Sequence, residues 1–250
     1  MEASGSAELR DVYEEQYSAE GEDADRYGRW RALCAHGKAD HVARLAGQLE
    51  HPPRAVAEVG CGDGVLLELM RKRELGESHH GYEISERAVK LAGDRLGAGV
   101  VERFDGEHLP VADHAYDLGV LSHVLEHVPD PLPLLRETAR VSRAVVVEVP
   151  LEDNRSASRP EAERGRQAIG HLHRWSRGDI HVLCAAAGLR VVAELSDPLP
   201  LKVHTFFAES APARAKAVAK ASVRRFVYVA SAPAAERLFT VHYACLAVPQ

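Results

Sequence analysis

Three glycines and two acidic residues form the densest motif of chemical interest in the sequence, Glu58-Val-Gly60-Cys-Gly62-Asp-Gly64. Glycines remove the Cβ atoms that would keep a ligand away from the backbone of a loop. Dinucleotide sites use the spacing GxGxxG, whereas this motif has GxGxG and a carboxylate two residues before its first glycine. Because Glu58 would repel a pyrophosphate and attract an ammonium group, the motif predicts a ligand with an amino acid head and argues against NAD.

Two more acidic residues follow apolar segments, at positions where a nucleoside-like ligand would need them. Glu83 lies about twenty residues beyond the glycine loop, where a carboxylate can accept hydrogen bonds from two ribose hydroxyls. Asp105, followed by Gly106, ends the next apolar segment and can accept from an adenine amino group. Either acid alone could equally be an exposed loop residue. Three acids at three successive strand ends, however, indicate one shared site.

A histidine-rich segment, Ser122-His123-Val-Leu-Glu126-His127, follows a further apolar run. We predict that it begins a helix, in which spacings of three and four residues bring His123, Glu126 and His127 together. A histidine can remove the proton of a hydroxyl acceptor near neutral pH, so His127 and His123 are the candidate catalytic residues. The alternatives are that His127 only fixes the helix and its loop, or that the segment binds a metal.

The elements that must position these residues follow from the order of apolar and amphipathic segments. Predicted strands alternate with predicted helices, as in a doubly wound sheet whose strands run mostly parallel. The run from Ala144 to Val149 is almost continuously apolar, which is typical of a strand covered on both faces. The strands are predicted at 54–59, 80–84, 99–104, 116–121, 144–149, 189–194 and 241–248, and the helices at 38–49, 65–73, 86–96, 177–187 and 211–225.

Four segments between residues 54 and 150 carry a resemblance to a known family: AEVGCGDGVLLEL, GYEIS, FDGEHLPVADHAYDLGVLSHVLEHVPDP and VVVEVP. They resemble the successive motifs of class I S-adenosylmethionine-dependent methyltransferases. The resemblance implies an α/β, Rossmann-like fold with a doubly wound, mostly parallel seven-stranded sheet whose last strand runs antiparallel. It also implies S-adenosyl-L-methionine as the cofactor, in agreement with the ammonium group that Glu58 would attract.

By matching position, the resemblance assigns the parts of the cofactor to the ends of successive strands. The glycine loop would line the methionine part, and the next two strand ends would bind the ribose and the adenine. The residues so assigned are Glu58, Gly60, Cys61, Gly62 and Gly64 for the methionine part, Glu83 and Ile84 for the ribose, Asp105 and Gly106 for the adenine, and Leu121, Ser122 and His123 beside the reactive methyl group.

The same resemblance leaves a metal site open. In the plant small-RNA 2′-O-methyltransferases and in some ubiquinone O-methyltransferases, a similar ExxEH segment carries metal ligands. Here His123 stands where the first acid would be, and His171 or His173 could complete the ligand set. Because this departure falls on a ligand position, our site assignment includes no metal.

The composition argues against several classes of protein. The 250 residues are 46% hydrophobic, enough for a large core, and carry a net charge of −6. Such a charge would repel a phosphate backbone, and no apolar run approaches the roughly 20 residues of a bilayer span. The four cysteines form no CxxC pair. We expect a cytoplasmic protein with reduced thiols and a small-molecule acceptor, and we expect neither nucleic acid nor membrane as a partner.

We divide the chain into an acidic arm with a helical cap at 1–50 and a methyltransferase domain at 51–250. The arm either covers the core or forms a lid over a ligand. Within the domain we expect an acceptor-side loop at 151–176 and an inserted helix at 210–226 before the last strand. The arginines of the loop could bind an acidic group of the acceptor, or they could pair with the acidic arm.

The leading functional prediction is methyl transfer to a small molecule at oxygen or nitrogen. One alternative is a methyltransferase that acts on RNA or protein. The other is a member of the family that binds the cofactor and transfers no methyl group. An enclosed pocket would favour the first prediction, whereas a contiguous basic surface would favour a macromolecular acceptor.

Overall fold

A seven-stranded sheet organises the fold. The computed structural model describes residues 3–19 and 21–250. The strands are β1 (Ala55–Val59), β2 (Ser78–Glu83), β3 (Val101–Arg103), β4 (Tyr116–Ser122), β5 (Ser142–Leu151), β6 (Leu189–Asp197) and β7 (Val241–Pro249). Their order across the sheet is β3-β2-β1-β4-β5-β7-β6.

Helices connect the strands and cover the sheet. Over the described residues, none of these helices is long and apolar enough to cross a membrane. They are α1 (Ala3–Ser18), α2 (Glu22–Ala46), α3 (Val65–Lys72), α4 (Glu86–Leu96), α5 (Pro131–Val141), α6 (Pro160–Ala168), α7 (Arg177–Ala186), α8 (Leu201–Thr205), α9 (Ala211–Ala230) and α10 (Ala232–Leu238).

The directions of the strands confirm the predicted fold class. The first five strands pair in parallel, and β7 pairs antiparallel with both β5 and β6. Alternate residues of β1 enter cores on opposite faces of the sheet: Val56 packs in one cluster, and Ala57 and Val59 pack in the other. A sheet covered on both faces explains why strands such as β5 are almost continuously apolar.

The predicted helix at the histidine segment is wrong. The strand β4 continues to Ser122, and the chain then forms a turn in which His123 has a φ of 58°. The next helix, α5, begins at Pro131, and the side chain of Asp130 caps it by accepting from the Leu132 N–H at 3.2 Å. Prolines at 129 and 131 delay the next helix, because the residue before a proline is disfavoured in helical conformation.

Other elements extend beyond their predicted bounds. The predicted helix at 38–49 is the last part of α2, which begins at Glu22 and ends at Ala46. The inserted helix α9 continues to Ala230. The strand β5 runs through Pro150, which lies beyond the part of β5 that pairs with β4 and therefore needs no N–H on that side. These differences leave the predicted order of elements intact.

Candidate active site

A cavity of about 710 Å³ lies at the carboxyl ends of β1, β2 and β4, and side chains of α1 and α2 complete its wall. The strand order reverses between β1 and β4, which is where doubly wound sheets bind their ligands. Most of the predicted site residues line this cavity: Glu58, Gly60, Cys61, Gly62, Glu83, Ile84, Asp105, Gly106, Ser122, His123 and His127.

The glycine loop turns from β1 into α3 with backbone angles that favour glycine. Gly60 and Gly62 have φ of 74° and 55°, and the Gly60 N–H donates to the carbonyl of Tyr82 in β2 at 2.8 Å. A Cβ on Gly60 would lie 2.6 Å from the side chain of Val124. The missing side chain therefore also lets the turn at residues 123–127, here called the histidine turn, pack directly on the glycine loop.

Glu58 places a buried carboxyl group in the wall of the cavity. Its Oε2 has no hydrogen-bond partner among the described residues. Burial raises the pKa of this carboxyl well above its usual range. Because an unpaired buried polar group destabilises a fold, the arrangement favours a ligand that donates hydrogen bonds to it. The site thus fits the ammonium group of S-adenosylmethionine.

Glu83 connects the end of β2 to the glycine loop. Its Oε2 accepts from the Gly62 N–H at 2.8 Å, and its Oε1 accepts from the N–H groups of Ile84 and Ser85 at 2.8 and 3.1 Å. Burial raises the pKa of Glu83, although these three hydrogen bonds act in the opposite direction. The carboxylate is held in place by backbone groups and retains acceptor capacity for ribose hydroxyls.

Asp105 shapes the turn that follows β3. Its carboxylate accepts from the N–H groups of Glu107 and His108 at 2.8 and 2.7 Å. Partial burial raises the pKa of Asp105, but these hydrogen bonds outweigh burial and lower it overall. The next residue, Gly106, has a φ of 93° and lines the cavity, where a Cβ would contact Ile84. An ionised acceptor therefore stands where the adenine amino group was predicted.

Two predicted residues do not reach the cavity. Leu121 is fully buried in the hydrophobic core, whereas the next residue along β4, Ser122, points to the other face and lines the cavity. Gly64 also lies outside the wall, and a Cβ there would lie 2.8 Å from Leu96 of α4. Gly64 thus permits the packing of two helices, and the glycines of this motif that line the cavity are Gly60 and Gly62.

The histidine turn presents a neutral imidazole to the cavity. The Nδ1 of His127 lies 3.1 Å from the carbonyl oxygen of Gly170, so Nδ1 carries the proton and Nε2 keeps its lone pair. Burial lowers the pKa of His127 to about 4. His123 lies beside it, and its Nε2 has no hydrogen-bond partner among the described residues. Both candidate bases are therefore neutral at physiological pH, since burial also lowers the pKa of His123 well below its usual range.

Glu126, His127 and His171 form a compact group on the same side of the cavity. Their ligand atoms lie within 4.8 Å of one another. Glu126 is fully buried, and its Oε1 lies 3.1 Å from the Nδ1 of His123. Its Oε2 has no hydrogen-bond partner among the described residues. Of the two loop histidines considered from the sequence, His171 joins this group, whereas His173 lies 2.8 Å from the Val128 carbonyl oxygen and outside the wall.

Comparisons with known proteins address the identity of this site. The family model described as a methyltransferase domain matches residues 26–194, more than half of the chain. The chain belongs to this methyltransferase family. The ubiquinone biosynthesis O-methyltransferase of Nitrosospira multiformis is 35% identical over 112 residues, which cover 43% of this chain and 44% of that protein. The chain thus aligns with less than half the length of this relative.

Solved structures agree on the fold. The geranyl diphosphate C-methyltransferase of Streptomyces coelicolor A3(2), solved with S-adenosyl-L-homocysteine, has a TM-score of 0.62 at 14% identity over 86% of this chain and 76% of that one. A chain from the complex of the Haloferax volcanii Trm112 methyltransferase activator with a methyltransferase has a TM-score of 0.59 at 18% identity, over 90% of this chain and 97% of that one. The predicted class I methyltransferase family, with S-adenosylmethionine as cofactor, is confirmed.

In this methyltransferase α1 contacts both the glycine loop and the histidine turn. The ring of Tyr13 packs edge-on against His127 with centroids 5.7 Å apart. The hydroxyl of Tyr17 would clash with a Cβ on Gly62, and the guanidinium of Arg31 stacks over the Tyr17 ring at 4.7 Å. Both tyrosines line the cavity, and sequence reasoning had found only that aromatic residues of this segment pack on something.

Sequence reasoning missed a buried charge network beside the histidine turn of the methyltransferase. His41 of α2 lies between two carboxylates, with Nδ1 2.7 Å from Glu148 and Nε2 3.1 Å from Asp197. Burial lowers the pKa of His41, but the two carboxylates outweigh burial and raise it to about 9. Ser122 donates to the other oxygen of Glu148 at 2.6 Å. A glutamate within the apolar segment VVVEVP was the available signal.

Neither prediction for the arginines of the loop after β5 holds in the described residues. None of the six arginines in this loop and just after it lines the cavity, namely Arg155, Arg159, Arg164, Arg166, Arg174 and Arg177. No described residue of the acidic arm forms an ion pair with them. Where they pair, their partners are acids of the loop itself and of β6 and α10. The loop instead contributes Glu152, Ile169 and His171 to the cavity wall.

Proposed function

We propose that this methyltransferase transfers the methyl group of S-adenosylmethionine to an oxygen atom of a small-molecule acceptor. The observation that carries the proposal is one cavity that joins the acidic glycine-loop pocket to His127, a neutral imidazole with a free Nε2. Oxygen is favoured over nitrogen because the relatives that align with the motif region include ubiquinone biosynthesis O-methyltransferases.

The shape of the cavity supports a small acceptor. Its volume of about 710 Å³ lies within the range of about 300–1,000 Å³ that is typical of pockets for small molecules. Aromatic side chains of α1 and α2 form its outer wall, namely Tyr13, Tyr17, Tyr27 and Trp30. A polynucleotide or a folded protein would need an open groove at this position.

We assign to the cofactor the part of the cavity at the carboxyl ends of β1, β2 and β3, here called the cofactor half. When bound, S-adenosylmethionine supplies an electrophilic methyl group on a sulfonium ion. We assign Glu58 to its ammonium group, Glu83 to the ribose hydroxyls and Asp105 to the adenine amino group. The carboxylate of Glu83 is already held by three backbone N–H groups, so little conformational entropy is lost when it accepts from a ligand.

His127 is the proposed general base. Its Nδ1–H is fixed by the carbonyl of Gly170, which directs Nε2 into the cavity to accept the proton of an acceptor hydroxyl. The negative charge of Glu126 favours the protonated form of His127 and so counteracts the effect of burial. The pair can therefore hold the transferred proton while the oxygen attacks the methyl carbon.

A divalent cation is a second candidate for activating the acceptor. Glu126, His127 and His171 fit such an ion, because one carboxylate oxygen and two imidazole nitrogens lie within 4.8 Å of one another. An ion held there would act as a Lewis acid that lowers the pKa of a coordinated hydroxyl. The same residues would then serve as ligands, and His127 would not act as a base.

Chelation and substitution separate these two candidates. With a methyl acceptor in hand, we expect His127→Ala to lower kcat by about a hundredfold while cofactor affinity is retained, and EDTA to have no effect. If EDTA abolished activity and a divalent ion restored it, the metal role would replace the base. His173→Ala is the matched control, because His173 belongs to the same region and lies outside the cavity. Full activity of His127→Ala would contradict both candidates.

A further inference from the structure

Helix α9 exposes an unusual amount of apolar surface. Its side chains of Val218, Val223, Phe226 and Val229 are among eleven large hydrophobic residues that are exposed in the described part of the chain, and the last two are each 75% exposed. Two more of the eleven, Leu201 and Phe207, lie in and next to α8, which packs against α9. Single exposed apolar residues are ordinary, but a concentration of six in two neighbouring elements indicates a surface that meets an apolar partner.

These apolar residues form a stripe along one face of α9. At 100° per residue, the four side chains fall within an arc of about 140°, and exposed alanines fill the arc between them. Ala221 and Tyr228 occupy the other side of the helix, where Ala221 is buried and Tyr228 donates to the Ser196 carbonyl of β6. The apolar stripe therefore faces away from the sheet.

Basic residues border the stripe on both sides. Lys216 and Lys220 follow one edge, and Arg214 and Arg225 follow the other. The sequence of α9 contains no acidic residue, and none of these four cations forms an ion pair with any described residue. The nearby Glu209 and Glu236 are paired with arginines outside α9. A chain with a net charge of −6 thus carries a helix that is purely basic.

We propose that α9 lies on the surface of an anionic phospholipid bilayer, with its apolar stripe in the headgroup boundary and its flanking lysines and arginines on lipid phosphates. This arrangement is that of an interfacial amphipathic helix, and the basic borders select an anionic surface. The expectation of no membrane partner relied on the lack of a spanning segment, which an interfacial helix does not need. The proposal does not depend on the identity of the methyl acceptor.

The position of α9 relates this surface to the cavity. Phe207, between α8 and α9, packs against Trp30 of α2 with ring centroids 5.9 Å apart. Trp30 in turn lines the cavity. A bilayer bound by α9 would therefore lie on the side of the molecule where α2 closes the cavity wall.

Vesicle flotation tests the proposal on the full chain. We expect the protein to float with vesicles of phosphatidylcholine and phosphatidylglycerol in equal parts, to float much less with phosphatidylcholine alone, and to be released by added salt. The double variant Phe226→Ser with Val229→Ser and the double variant Lys216→Glu with Lys220→Glu should each weaken binding by about tenfold or more.

Two control variants on other helices test whether vesicle binding depends on α9 itself. Val182→Ser removes an equally exposed apolar side chain from α7, and Lys90→Glu reverses an exposed charge on α4, so both should bind vesicles like the parent. Binding of S-adenosylhomocysteine should be unchanged in every variant, which shows that each is folded. The proposal is overturned if the parent ignores anionic vesicles, if the α9 variants bind as well as the controls, or if the stripe instead mediates a dimer that these variants dissociate.

Discussion

At the scale of single residues, the acids of the cofactor half were predictable because parallel strands end at one edge of a sheet. Glu58, Glu83 and Asp105 each follow an apolar run, and the sheet brings all three to one cavity. Their detailed roles were not predictable, because they depend on backbone groups of other segments. The hydrogen bond from Gly62 to Glu83 joins residues on two different strand ends.

Glu58→Gln should separate the function of this carboxyl from its effect on the fold. The group is buried with one oxygen unpaired, so its replacement by a neutral amide should leave the melting temperature unchanged or raise it. Affinity for S-adenosylmethionine should fall by about 1–3 kcal/mol, because a charge-assisted hydrogen bond to the ammonium group is lost. Calorimetry and thermal unfolding on the same samples check both expectations. Unchanged affinity would remove Glu58 from the site.

Glu83→Ala should weaken binding of S-adenosylhomocysteine by roughly 1–3 kcal/mol. The variant loses the acceptor for the ribose hydroxyls and also the bonds that hold Gly62, Ile84 and Ser85. Titration calorimetry gives the affinity, and Glu102→Ala, an exposed acid of β3, serves as the control. A dissociation constant equal to that of the parent would contradict the assignment.

At the scale of elements, local sequence predicted the sheet and its crossovers but not the histidine turn. The turn after β4 is set by Val124, which packs where Gly60 has no side chain, and by prolines that delay the next helix. The part of the cavity wall that α1 forms was also not predictable, because the sequence of an amphipathic segment does not show which surface the segment will cover. We interpret α1 as a lid, since Tyr13 and Tyr17 line the cavity.

Glu14 should control how long this lid stays closed. Its carboxylate accepts from the Ser85 hydroxyl at 2.7 Å and from the Arg87 N–H at 3.2 Å, which attaches α1 to the start of α4. We expect Glu14→Ala to speed the release of S-adenosylhomocysteine by about three- to tenfold, measured by stopped-flow displacement. Asp11→Ala, an exposed neighbour on α1, should leave the release rate unchanged. Equal rates in the two variants would argue against the lid.

At the scale of the whole molecule, the network of His41, Glu148 and Asp197 joins helix α2 to strands β5 and β6. His41 and Glu148 are 107 positions apart in the chain, so no local pattern could have paired them. Sequence patterns thus predicted the order of the strands and helices and the acids that line the cavity. The contacts that close the cavity depend on pairs distant in the chain.

The stability of the molecule should depend on pH through His41. The pKa of this histidine is raised from 6.5 to about 9, so its contribution to folding is complete below pH 6.5 and is lost as the pH rises through about 9. Denaturant unfolding at pH 7 and pH 10 should show that the parent loses about 1–3 kcal/mol more than His41→Gln over this interval. Parallel losses in the two proteins would show that His41 is not charged in the fold.

The most direct test of methyl transfer to oxygen is to follow an isotope-labelled methyl group from S-adenosylmethionine into product. The protein would be incubated with labelled cofactor and a panel of small phenols, carboxylic acids and amines, and the labelled product would be located by nuclear magnetic resonance. We predict a labelled methyl on the oxygen of a small hydroxyl compound, formed by the parent and nearly absent with His127→Ala. Label on a nitrogen, a carbon or a macromolecule, or binding of the cofactor without any transfer across the panel, would contradict the proposed function.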